Sequence, residues 1–165
     1  MRIAFTVVAF LGALLIAGSL TAEPIYLDAM MEMQLTELQQ QFPTLRKEGC
    51  YRIGADRFLL IEIEKKDQKP ARVILSSVAP CRRPEDTPVA LDVRHRKEID
   101  LGSRSLEVLE KMKRPDASAP PDGALRKLGD TEYFYICRVS EGCARHTSVF
   151  MREGVVSAIS EWYSE

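Results

Sequence analysis

One order of segments occurs twice in this 165-residue chain and constrains its fold more than any other feature: an amphipathic helical stretch, then three strand-like runs. Tyr26 to Phe42 spaces Leu27, Met30, Met31, Leu35, Leu38 and Phe42 as one apolar helical face, and Pro43 stops it. Cys50 to Ile53 then reads as a short strand, and Gly54-Ala55-Asp56 as a turn. Phe58 to Lys65 alternates, with Leu59, Ile61 and Ile63 on one side and Glu62 and Glu64 on the other. Asp67 to Pro70 turns, and Arg72 to Val78 returns as a strand with Val73 and Leu75 inward. Met30, Met31 and Met33 are read as core filler, since the unbranched thioether suits irregular gaps.

Ala79 to Pro88, with three prolines, reads as a loop, and Val89 to Val93 as a further strand. The second cycle begins at Ile99-Asp100-Leu101-Gly102. Leu106, Leu109 and Met112 give its helical face, which Arg114-Pro115 ends. Asp116 to Gly123 is a loop by composition. Tyr133 to Val139, Ala144 to Met151 and Val155 to Tyr163 are strand-like, with Glu153-Gly154 as the tight turn between the last two. Helix plus antiparallel meander, repeated once, is an α+β plan with helices on one face of the sheet. The modules expected are 23–88 and 89–165.

The N-terminus sets the compartment. Met1-Arg2 is a positive start, Ile3 to Ala17 is an apolar run broken only by Thr6 and Gly12, and small residues follow. That is the plan of a signal peptide over 1–22, cut after Ser19 or after Ala22. The run is short beside the roughly 20 apolar residues of a membrane span. Leu15 to Ser19 is shaped like a bacterial lipobox with Ser in place of the lipidated Cys, so no lipid anchor is expected by that route. The expected product is soluble and exported, periplasmic or secreted, with no stable membrane anchor after cleavage. With 23 basic and 24 acidic residues, the chain has no basic excess to hold a nucleic acid.

Four cysteines, Cys50, Cys81, Cys137 and Cys143, follow the leader, and an even count in an oxidising compartment predicts two disulfides. Of three possible connectivities, local grammar favours Cys137 with Cys143 across a hairpin and Cys50 with Cys81. The chemical alternative is a metal site from Cys137, Cys143 and His146, although that spacing matches no common zinc pattern.

In the second half, Ile99 to Gly102, Ser105 to Leu109, Tyr133-Phe134-Tyr135 and Val149 to Val156 resemble the BamE-like module. That grammar is an apolar-x-x-Gly lead-in, a short helix, an aromatic strand and a closing hairpin. A tandem of two such modules looks like the architecture of secreted β-lactamase inhibitory proteins, each module with its own disulfide. The resemblance covers residues 99–163, and the first half by analogy. It implies a sheet backed by helices with an open face free to bind protein. It carries over no catalytic group and no inhibitor hot spot.

Chemistry is thinly marked. His95 lies in Arg94-His95-Arg96-Lys97, read as a solvated basic loop. His146 stands near Cys143, Thr147 and Ser148, without the glycine pattern of a nucleophile elbow. Glu62 and Glu64 share a strand face and could do acid–base work, but Lys65-Lys66 beside them reads as solvent side. No phosphate-binding glycine loop or paired zinc motif is present in the sequence, so no cofactor and no metal is expected. The aromatics point elsewhere. If Phe134 and Ile136 face the helices, Tyr133 and Tyr135 line the open face, and Trp162 joins them; Tyr and Trp are enriched at protein–protein hot spots. The expected function is non-catalytic binding of another protein. The rival is a hydrolase-type enzyme using His146 or the Glu62/Glu64 pair, and a third reading is a purely structural envelope factor.

Overall fold

The computed structural model describes residues 23–88, 91–136 and 145–163. The expected leader, and Cys137 and Cys143 with their expected bridge, lie outside the described residues. Within them the chain is a mixed α+β structure built on one eight-stranded sheet.

A two-residue strand β1 (Ile25–Tyr26) leads into α1 (Leu27–Met30) and α2 (Leu35–Gln41), followed by β2 (Glu48–Gly54), β3 (Arg57–Ile63) and β4 (Pro70–Ser76). Two short strands, β5 (Glu85–Asp86) and β6 (Val93–Arg94), precede α3 (Ser105–Met112) and β7 (Ala117–Ala119). A 3-10 turn (Gly123–Lys127) leads to β8 (Thr131–Ile136), β9 (Arg145–Arg152) and β10 (Val155–Tyr163). The sheet order is β5-β2-β3-β4-β10-β9-β8-β7, with β1 and β6 paired separately in parallel. The two three-stranded meanders thus meet along their last strands: β4 and β10 run antiparallel, from Ser76 against Ala158 to Arg72 against Trp162.

Several expectations about the helices and strands change. The periodic stretch 26–42 is two short helices. Leu35 N donates to Gln68 O in the β3–β4 turn at 2.8 Å, and Gln34 is extended, so a tertiary bond interrupts a face whose spacing alone would continue. Gln34 N donates to the Glu37 carboxylate at 2.7 Å and starts α2 afresh. Along α3 the buried stripe is Val108 with Met112 beside it, and Leu106 is 72% exposed. Of the strand expected over Val89–Val93, Val89 and Ala90 lie outside the described residues, and within them the strand is Val93–Arg94; Ala117–Ala119, expected as loop, adds an edge strand to β8. The Glu153-Gly154 turn is as expected: both residues have positive φ, 51° and 80°, the geometry of the favoured two-residue hairpin turn.

One face of the sheet carries the larger core. Leu59 and Ile61 of β3, Val73 and Leu75 of β4, Val149 and Met151 of β9 and Ile159 of β10 pack in one cluster with Leu38, Phe42 and Val108 from the helices. Met30 and Met31 are fully buried in it, as core filler should be. Alternate residues of the same strands form a smaller cluster on the opposite face: Leu60, Ile74, Phe150 and Ala158, covered by Leu125 and Leu128. The Cys50–Cys81 disulfide, with a Cα–Cα separation of 6.4 Å, ties the loop after β4 over that second face. Lys127 Nζ donates to Pro80 O and links the two covering segments. Among the described residues, no helix is long and apolar enough to cross a membrane.

Candidate functional site

At the β10-β9-β8 end of the sheet Glu161 and His95 are buried on the helix side beside Tyr135, while Phe134 and Trp162 stand half-buried around His146 on the other. The register fixes which residues share a face: Trp162 lies against His146 and His146 against Ile136, while Ser160, Ser148 and Phe134 form the next row. Side chains alternate along each strand, so Glu161, Thr147 and Tyr135 form a row on the helix side.

The structure therefore does not bring Tyr133, Tyr135 and Trp162 together. Tyr135 is 8% exposed and belongs to the helix-side core, with Tyr133 packed against it. This reverses the expected strand register. From Tyr133 to Ile136 both alternating pairs are apolar or aromatic, so alternation divides them without saying which pair is inside. Trp162 lies on the face away from the helices, apart from both tyrosines, and its neighbours there are Phe134 and His146.

On that face three rings form a ladder. His146 lies 5.0 Å from Phe134 and 4.5 Å from Trp162 between ring centroids. The Arg72 guanidinium stands 5.6 Å from the Trp162 centroid and pairs with Glu62 at 3.7 Å. The ladder therefore runs from a charged pair on β3 and β4 to the exposed Ile136 on β8. Trp162 Nε1 donates to Ser148 Oγ at 3.4 Å. His146 is almost fully covered by its neighbours, and its Nδ1 has no hydrogen-bond partner among the described residues. Of the carboxylates weighed for acid–base work, Glu62 is held by Arg72, and Glu64 is exposed beyond the end of β3. No group of three or more His, Cys, Asp and Glu side chains that could hold a metal occurs among the described residues.

On the helix side, His95 overturns its reading as a solvated residue: it is 5% exposed. Its Nδ1 accepts from Lys97 N at 3.2 Å, which leaves Nε2 as the protonated nitrogen facing Glu161 Oε1 at 3.1 Å. The Thr147 hydroxyl donates to the same oxygen at 2.8 Å. Arg145 Nε lies 3.7 Å from Glu161 Oε2, an oxygen with no hydrogen-bond partner among the described residues. The Tyr135 hydroxyl is likewise buried and unpartnered, and burial, with the Tyr133 phenol as a lesser cause, pushes its pKa up to about 12. These groups line a cavity of about 310 Å³ that Met112 and Ile136 also border. The sequence concealed His95 because its partner is 66 residues away, and three adjacent basic residues suggested a surface loop. With both ring nitrogens engaged, His95 is a latch between the 91–98 segment and β10.

No protein-family model, no curated protein and no solved structure matches this chain.

Proposed function

We propose that the chain is an exported, non-catalytic protein-binding module whose contact surface is the Phe134–His146–Trp162–Arg72 ladder on the sheet face away from α2 and α3. The observation that carries this reading is the ladder itself. Aromatic rings and an arginine sit side by side on rigid strands, a composition enriched where binding energy concentrates. A planar ring already packed against neighbours loses little freedom on contact. Export is supported by the leader pattern of 1–22 and by the Cys50–Cys81 disulfide, which needs an oxidising compartment to persist. The partner is another protein.

The architecture is read as two modules, 23–88 and 89–165, of BamE-like or inhibitor-like kind. What supports this is the recurrence of a helix and a three-stranded meander, α2-β2-β3-β4 and α3-β8-β9-β10, joined through β4 and β10. The test is to capture partners from an envelope extract, identify them by mass spectrometry, and measure the affinity of the purified pair. Trp162→Ala should weaken the complex by about 2 kcal/mol, roughly thirtyfold, with the fold intact. An affinity unchanged in Trp162→Ala and Phe134→Ala alike would remove the ladder as the contact surface.

A further inference from the structure

The loop after β4, which covers the smaller core cluster, is fastened mainly at its ends. At one end the Ser77 N–H and hydroxyl donate to Ser157 O at 2.9 and 3.1 Å. At the other, Glu85 and Asp86 pair with Tyr51 and Arg52, and Thr87 N donates to Arg52 O at 3.1 Å. Between these anchors, among the described residues, two bonded links hold residues 79–84: the Cys50–Cys81 bridge and the bond from Lys127 Nζ to Pro80 O. Pro80 is buried, Cys50 and Cys81 are half-buried, and Arg82 and Arg83 are exposed. What lies beneath is continuous with the ladder. Cys50, Leu60, Ile74, Ser160, Ser148 and Phe134 make one cross-strand row, so it runs from the bridge to a ring of the ladder. Leu60 and Ile74 are buried in that row beside the Glu62–Arg72 pair.

We infer that residues 79–84 are a lid released by dithiols, and that opening it lengthens the contact face from the ladder across Ile74 to Leu60. The step is thiol–disulfide exchange. A thiolate of the dithiol attacks one sulfur of the bridge, forming a mixed disulfide and expelling the other sulfur as a thiolate. The second sulfur of the dithiol then displaces the protein from the mixed disulfide. The dithiol leaves oxidised to its own disulfide, and Cys50 and Cys81 take up its two electrons and two protons as thiols. Access to the sulfurs governs such exchange, and neither cysteine is sealed in the core. With the bridge open, the anchors at Ser77 and at Glu85 to Thr87 survive, so the loop swings on its ends while the sheet stays paired. Among the described residues only the Lys127 bond then fastens the middle, and an exposed lysine exchanges such a bond readily for water. In an oxidising compartment the bridge re-forms and the lid shuts.

The use of the uncovered surface rests on the ladder being the contact face; the opening itself does not, and it is tested without a partner. The full chain is compared oxidised, reduced with dithiothreitol, and as the Cys50→Ser, Cys81→Ser double variant, which keeps Cys137 and Cys143. Trypsin cleavage after Arg82 reads the lid, and the fluorescence of anilinonaphthalene sulfonate reads exposed apolar surface. Far-UV circular dichroism and the emission of Trp162, the one tryptophan of the chain, report whether the sheet persists. With both fold signals unchanged, reduction and the double substitution should each speed cleavage at least about tenfold and raise dye fluorescence. Lys127→Ala should speed cleavage further in the reduced protein and by less than about twofold in the oxidised one. Unchanged cleavage and dye binding after reduction overturn the proposal, because packing alone would then shut the loop. Loss of either fold signal on reduction also overturns it, since the bridge would be a staple of the whole fold. So does an effect of dithiothreitol that the double variant fails to reproduce, which would belong to the other cysteines. Partner affinity is read in a separate experiment, so failure here leaves the ladder's role standing.

Discussion

The two faces of the sheet are made by alternate residues of the same strands, yet they are finished by different means. The helix-side face is closed by short helices and a broad aliphatic cluster, and only at the β8–β10 end does it turn polar. The opposite face has a small cluster closed by a disulfide-tethered loop and a 3-10 turn, and it leaves its β8–β10 end aromatic. Where the chain needs only stability, burial follows hydrophobicity. At the β8–β10 end a glutamate and a histidine, Glu161 and His95, are inside while a tryptophan and a phenylalanine are only half-buried outside. A fold selected for burial alone would arrange them the other way round. That contrast, more than any single residue, is what supports the binding role proposed for this end of the sheet.

The comparison can be broken most forcefully in the cores. Phe150, 1% exposed, anchors the smaller cluster, and Ile61, fully buried, belongs to the larger. Phe150→Ala should cost about 4 kcal/mol and Ile61→Ala about 3 kcal/mol, read from urea denaturation midpoints. If Phe150→Ala costs less than about 1 kcal/mol, the second face is a loose cover and the two faces are not both cores.

Next in size is the tether. The Cys50–Cys81 bridge closes a loop with a sequence separation of 31, for which the chain-entropy model gives about 3.5 kcal/mol. A Cys50→Ser, Cys81→Ser double variant should lose about that much and expose Leu60 and Ile74 to faster hydrogen exchange. The helix-side core should keep its protection relative to global stability. Equal loss of protection on both faces would mean that the faces unfold as one unit.

The ladder separates stability from binding. Trp162 is half-buried, so Trp162→Ala should change folding stability by about 1 kcal/mol while weakening the protein complex by about 2 kcal/mol. A large stability loss with an unchanged complex would make the ladder a third core and move the contact surface elsewhere.

Much of this architecture was legible in the residues. Leu59, Ile61, Val73 and Leu75 recur at every second position between turn signals, and the strands they predicted sit where expected with those residues inward; the residues between them, Leu60 and Ile74, are buried in the second core. The Glu153-Gly154 turn was legible because it has a short-range chemical signature, and the Cys50–Cys81 bridge because a hairpin reading of the other two cysteines leaves this pair. The site was less so. In Tyr133–Ile136 both alternating pairs, Tyr133/Tyr135 and Phe134/Ile136, are large and aromatic or apolar, so nothing local says that Tyr135 goes in and Phe134 out. That choice is made by β9 and β10, whose Val149 and Ile159 define the inner face. His95 was misplaced because burial of a histidine depends on a partner, and Glu161 is remote in sequence. The break between α1 and α2 has no glycine or proline to announce it; a single backbone bond to Gln68 makes it.

The smallest effect concerns the phenol at the polar end of the inner face. Burial, and secondarily the neighbouring Tyr133, pushes the Tyr135 pKa up to about 12, against an ordinary value of 10.0. A phenol that holds its proton more tightly when folded supports the native state fully below the unfolded pKa. Above it, the unfolded chain gains by ionising while the native chain does not, so stability should fall as pH rises from about 10 towards 12. Tyr135→Phe removes that ionisation and leaves the ring in place. Its stability at pH 8 should match the wild type or slightly exceed it, because an unpartnered buried hydroxyl is gone. Between pH 10 and 11.5 its denaturation midpoint should decline less steeply. Some decline should persist, because Tyr51 is also raised, chiefly by burial and partly by Glu85, against the opposing effects of its Thr44 hydrogen bond and Arg46. Parallel alkaline curves for the two proteins would mean that the Tyr135 hydroxyl already reaches water. In that case Tyr135 would belong with the exposed aromatics after all, and the contrast between the two faces would be weaker at this end of the sheet.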